Sequence, residues 1–208
     1  MHVFRPVPYH CQWADRDLVD GIVSGRVDAR ADAKQGTFCF GGPDEYEFWA
    51  RRTCGLACLE SVLDALGIAR PSRAELLKQS MAHGAYRLDP GGAVQGLIYR
   101  PFLIWVKSAF GLSGRVLEHC TLDAVAQELD GGSLVMCSVS PEIRRPDESN
   151  VRRGGHLVLV HGCGADTIRF HNPSGFRHNQ ENVVLPRTTF ERFFAGRALS
   201  LPILENLR

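Results

Sequence analysis

The stretch Arg51-Arg52-Thr53-Cys54-Gly55-Leu56-Ala57-Cys58-Leu59-Glu60-Ser61-Val62-Leu63 decides the fold. Behind its polar opening, Leu56, Leu59, Leu63 and Leu66 recur at i, i+3, i+7 and i+10, the spacing of one helix face. The pattern predicts a helix over residues 54–66, stopped by Gly67. Cys54 then stands at a helix start, where the first N–H groups lack intrahelical partners and the helix dipole is positive. Both favour a thiolate. Such a thiol becomes a nucleophile only with a base, a group that orients the base, and an oxyanion donor. These must come from elsewhere in the chain.

Composition bounds the search. The chain has 208 residues, 44% hydrophobic and 23% charged, which fits one globular domain over residues 1–208 with a sizeable core. A formal net charge of +1 gives no electrostatic reason to expect nucleic acid. No apolar run reaches the length of a membrane span, and the first residues lack the pattern of a secretory signal. The seven cysteines (Cys11, Cys39, Cys54, Cys58, Cys120, Cys137 and Cys163) are odd in number and scattered, so they read as reduced thiols of a cytoplasmic protein. Cys54 with Cys58, and His156 and His161 with Cys163, are the nearest approach to zinc-ligand spacing. No paired knuckle occurs, so no metal and no other cofactor is expected.

Upstream, Pro6 and Pro8 predict a short extended segment over residues 5–12, at a sheet edge. A short helix over 17–24 and an irregular excursion over 25–45 follow, and Tyr46, Phe48 and Trp49 anchor the approach to Cys54. Downstream, Ser72 with Glu75 three residues on forms a capping box for a second helix, ended by Gly84. A third helix is expected over 94–110, kinked at Pro101, and a fourth over 122–129, capped by Thr121. The second half then turns to strands: 133–139, 156–161, 167–171, 182–185 and a closing 197–203, with one short helix over 188–194. Helices followed by an antiparallel sheet make an α+β arrangement.

This order supplies partners for Cys54. Gly155-His156 opens one strand, and Phe170-His171-Asn172-Pro173 closes the next. If the two strands pair through the turn at 162–166, Asn172 lies beside His156, where its side-chain carbonyl can accept the imidazole N–H. His161 alternates to the opposite strand face from His156 and reads as structural. His171, next to Asn172, is a substitute base. Cys58 and Cys137 read as buried packing thiols.

Three segments, Thr53-Cys54-Gly55, Gly155-His156 and Asn172-Pro173, resemble the papain-like cysteine peptidases of the bacteriocin-processing type, which remove double-glycine leader peptides, and their stand-alone relatives. The resemblance implies a papain-like fold with a helical half packed on an antiparallel sheet, and a triad of Cys54, His156 and Asn172. Asn172 departs from that family's usual Asp and agrees with papain. Val7-Pro8-Tyr9-His10-Cys11-Gln12 is similar to the opening segment of the stand-alone members. That likeness implies Gln12 as the oxyanion donor and residues 13–53 as an insertion before the catalytic helix.

The function expected is cysteine-dependent acyl transfer, as a peptidase or amidase. Alternatives are an acyltransferase or cyclase acting on a peptide or on an acyl thioester brought by a carrier protein, and a non-catalytic peptide-binding descendant. Arg144, Arg145, Arg152 and Arg153 in the loop before Gly155, joined by Arg51 and Arg52, are expected to draw a substrate carboxylate or phosphate. Arg51, Arg52, Arg152, Arg153 and Gly155 are thus the candidate substrate-binding residues.

Overall fold

The computed structural model describes residues 3–203. In chain order the elements are β1 (Val3–Phe4), α1 (Val19–Val23), α2 (Pro43–Ala50), α3 (Cys54–Ala65), α4 (Arg73–Ala82), β2 (Arg87–Leu88), β3 (Val94–Gln95) and α5 (Tyr99–Phe110). There follow β4 (Arg115–Glu118), α6 (Leu122–Asp130), β5 (Ser133–Val139), β6 (His156–Cys163), β7 (Thr167–His171), β8 (Val183–Pro186), α7 (Arg187–Phe193) and β9 (Phe194–Pro202). The architecture is α+β. Among the described residues no helix is long and apolar enough to cross a membrane.

The main sheet is antiparallel in the order β4-β9-β5-β6-β7-β8, and β1 pairs with the far end of β6. Period-2 alternation sorts the central strands onto two cores. Leu134 and Met136 of β5, with Leu157 and Leu159 of β6, join the apolar faces of α3, α4 and α5. Val135, Cys137 and Val139, with Val158 and Val160, face the opposite way onto α6 and α7. Both strands are buried along their whole length, as the apolar run at 133–139 required. Helix α3 has no exposed face along Gly55 through Leu63, which are all buried, and the helix lies on the sheet as its central support.

Several expectations shift. Residues 5–12 form no strand; the ladder is limited to Val3–Phe4, and the segment then follows the ends of β6 and β7 through single bonds such as Arg5 N–H to His161 O at 3.0 Å. Pro6 and Pro8 lack the N–H groups that a longer ladder would need. The third helix starts at Tyr99, not at 94, because residues 87–95 form the β2–β3 hairpin. Pro101 is its third residue, ahead of the first i→i−4 bond, from Phe102 N–H to Ile98 O at 3.1 Å. No N–H is missing there, so the proline does not break the helix. The excursion before Cys54 contains a helix of its own, α2, begun by Pro43 at its first position. Trp13, Val19, Ile22, Ala29, Tyr46 and Ala50 form a separate apolar cluster within residues 13–53. The Tyr46 hydroxyl donates to the buried Asp32 carboxylate at 2.5 Å.

Candidate active site

Cys54 is the first residue of α3, and Thr53 at the cap position makes no side-chain bond to the helix. The first-turn N–H groups therefore stay open toward the thiol. Cys54 keeps partial exposure, whereas Cys58, one turn on, is sealed in the core with its Sγ 3.8 Å from Leu157 O. Burial pushes the Cys54 thiol up; the N–H groups of Leu157 and Gly55 and the positive charge of Arg144 act against that rise. A β-carbon on Gly55 would lie 3.1 Å from Leu97 Cδ2 and 3.2 Å from Leu157 Cδ1, so a larger residue after the cysteine would press on both leucines.

His156, the first residue of β6, shares a cavity of about 430 Å³ with Cys54. Its Nε2–H donates to Asn172 Oδ1 at 2.8 Å, and Ser174 Oγ lies 3.2 Å from the same nitrogen. Among the described residues no hydrogen bond holds Nδ1, and His156 lines the cavity. Burial first, and the Arg144 charge second, push the imidazole down to about 3 against the Asn172 bond, so the ring is a neutral base at neutral pH. The pairing of β6 with β7 carries Asn172, just past the end of β7, to this place.

Gln12 is buried at 2% exposure, and it is tied to both ends of the site through its backbone. Its N–H donates to Pro173 O at 2.7 Å, next to Asn172. Its carbonyl accepts from Arg73 Nη1 at 3.4 Å, and that same nitrogen lies 3.5 Å from Thr53 Oγ1, next to Cys54. Gln12 Oε1 is buried with no hydrogen-bond partner among the described residues.

The expected basic residues distribute otherwise. Arg51 pairs with Glu47, and Arg52 folds back over the Phe48 ring at 4.1 Å and donates to Phe48 O. Both guanidiniums are spent on helix α2, because an arginine just past a helix end reaches the carbonyls and carboxylates of its last turn. Arg152 and Arg153 border surface hollows beside Arg145 and Arg192. Of the five residues expected to meet substrate, Gly155 lines the Cys54 cavity and the four arginines do not. Two other arginines stand in their place. Arg144 donates to Ser174 O and Ser174 Oγ and bears on both Cys54 and His156. Arg197, at the middle of β9, lines the cavity itself. Arg144 belongs to the basic loop singled out in the sequence, but nothing there set it apart from its neighbours; Arg197 and Ser174 carried no signal at all.

His171 is not available as a base. Its Nε2–H donates to Val7 O at 2.8 Å, and its Nδ1 accepts from Asn182 N–H at 3.1 Å. His161 lies on the far side of β6 from the cavity, its ring tilted against that of His171 at 4.3 Å, with Nδ1 3.0 Å from Arg5 O and Nε2 buried without a partner among the described residues. Among the described residues no three His, Cys, Asp or Glu side chains converge as a metal site would need.

No family model and no curated protein matches the sequence. Solved structures do. A crystal structure of a candidate C39-like peptidase from Bacillus anthracis superposes with a TM-score of 0.57 at 14% identity over 97% of each chain. The peptidase domain of Streptococcus ComA, a bifunctional ABC transporter of a quorum-sensing pathway, gives a TM-score of 0.49 at 17% identity over 73% of this chain and 93% of that one. At such identities the likeness is one of architecture, and along its whole described length this chain has the papain-like fold of the C39-like peptidases.

Proposed function

We propose that this protein is a cysteine-dependent acyl-transfer enzyme that hydrolyses peptide or amide bonds at Cys54. The observation that carries the reading is the His156–Asn172 bond at 2.8 Å, which fixes one imidazole nitrogen and leaves the other free in the cavity that Cys54 enters.

In this mechanism the resting pair is a thiol and a neutral imidazole. His156 Nδ1 takes the Cys54 proton as Sγ attacks the substrate carbonyl, and Asn172 holds the imidazolium that forms. The developing oxyanion meets the Cys54 backbone N–H, which as the first of the helix has no intrahelical acceptor, and the Gln12 side-chain amide. His156 returns its proton to the leaving amine, leaving an S-acyl thioester on Cys54. Water, deprotonated by the same nitrogen, then cleaves the thioester and restores the thiol. Arg144 stabilises the thiolate character of Cys54 and keeps the imidazole neutral between turnovers.

Intact-mass measurement after mixing with a peptide library tests the reading. The expected result is a transient acyl adduct on Cys54 and release of cleaved peptide, both lost in Cys54→Ala. Equal behaviour of the wild type and Cys54→Ala toward every peptide contradicts it.

A further inference from the structure

We infer that the cavity beside Cys54 is a carboxylate subsite, in which Arg197 and the Ser138 hydroxyl select substrates with a free carboxylate close to the bond attacked. The inference rests on the acyl-transfer reading and names its substrate class.

The Arg197 side chain makes no hydrogen bond or ion pair among the described residues, although Glu118 stands directly across from it on β4. Other arginines around the site are engaged: Arg144 with Ser174, Arg145 with Glu148, and Arg192 with the carbonyls of Pro146 and Glu148. None of the side chains lining the cavity is acidic. With His156 neutral, Arg197 is the charged side chain of the lining, and Arg144 adds a second positive charge behind the imidazole.

The free guanidinium is aimed. A β-carbon on Gly154 would lie 3.4 Å from each of Arg197 Nη2, Ser138 Oγ and Ala195 Cβ, so the two donors and one methyl border a small space that a side chain at 154 would enter. Gly154 has φ +84°, a conformation that favours glycine, and it keeps that space open. The Tyr99 hydroxyl adjoins it. Burial raises that phenol, while the Ser138 hydroxyl and the Arg197 charge act to lower it. A carboxylate here takes the planar fork of Arg197 on two oxygens and the Ser138 hydroxyl on one. One guanidinium and two hydroxyls balance a single negative charge, which suits a carboxylate better than a phosphate dianion. The carboxylate is an acidic side chain or a chain terminus of the substrate peptide.

Thiol-reactive probes test this without a known substrate. N-iodoacetyl derivatives of glycine, β-alanine and 4-aminobutyrate, each as free acid and as primary amide, alkylate Cys54 at rates read by peptide mass, and the exposed Cys39 is the internal reference. For at least one spacer length, the acid is expected to react at Cys54 about tenfold faster than its amide, saturably, while Cys39 shows no such preference. Arg197→Met abolishes the preference and Arg197→Lys keeps part of it, each read as the acid-to-amide rate ratio within one variant. Enhanced Cys54 reactivity with no acid preference, or a preference that survives Arg197→Met, overturns the subsite and leaves the acyl-transfer reading standing. If Cys54 reacts no faster than Cys39 with any probe, the acyl-transfer reading falls, and the subsite with it.

Discussion

Asn172 Oδ1 accepts two bonds, from His156 Nε2–H at 2.8 Å and from Ser174 N–H at 3.3 Å, and so the amide is held in one orientation. Removing it frees the ring to turn. Asn172→Ala is expected to slow acylation of Cys54 at least about tenfold, read as single-turnover adduct formation, without reducing the amount of folded protein. Asn172→Asp keeps an acceptor but places a carboxylate against the imidazole, which favours the protonated ring. Its acid limb, read from the pH–rate profile, moves upward from the region near 3 toward neutrality. Gln12→Ala is expected to lower turnover about 10²-fold, the usual loss for one oxyanion donor. Cys54, His156 and Asn172 were legible because each sits at an element boundary with its own punctuation: a polar run before the helix, Gly155 before a strand, and Pro173 after one. Arg144 and Arg197 were not, because their places depend on long-range closure. Arg144 meets Ser174 thirty positions away, and Arg197 reaches Ser138 only because β9 pairs with β5.

Helices α3 and α4 are joined by a buried ion pair rather than by apolar contact alone. Arg73, at 1% exposure, binds Glu60 at 2%, donates to the carbonyls of Cys11 and Gln12, and lies 4.4 Å over the Phe38 ring. One guanidinium thus fastens the opening segment and residues 13–53 to α3. Arg73→Ala leaves Glu60 buried with Arg70 at 3.1 Å and His10 at 3.8 Å as its remaining partners, and is expected to cost about 3 kcal/mol in chemical denaturation. Capping was readable at this scale: Ser72 Oγ accepts from Glu75 N–H at 3.3 Å as the sequence pattern requires. Pro101 was misread because its position within the helix depends on where the helix begins, and the β2–β3 hairpin that sets this start has no strong local signal. Pro101→Ala should change stability by less than about 0.5 kcal/mol, far below the ~3 kcal/mol of a proline in a helix interior.

At the scale of the whole molecule, the sheet buries both faces and takes titratable groups with it. His156 and His161 are each pushed down to about 3, and His171 is lowered as well, all chiefly by burial. The sign of the linkage follows. The unfolded chain binds these protons near pH 6.5 and the folded chain does not, so stability is fullest above about pH 6.5 and is lost as pH falls toward 3. The urea midpoint should drop steadily from pH 7 to pH 4.5, and less steeply in His161→Phe than in the wild type; a flat midpoint over that range contradicts the burial argument. The α+β class was legible because helical periodicity fills the first half and short apolar runs the second. Strand order was not, since nothing local says that β9 returns between β4 and β5.

The central claim, that Cys54 is a nucleophile served by His156, is tested most directly by the pH dependence of Cys54 alkylation with iodoacetamide in the wild type and in His156→Ala. A thiol served by a base predicts a Cys54 rate above that of the exposed Cys39 at pH 6 and reduced at least about tenfold in His156→Ala, with the gap between the two variants narrowing as rising pH forms the thiolate without the base. A Cys54 rate at pH 6 no higher than that of Cys39, or one indifferent to His156 at every pH, contradicts the account.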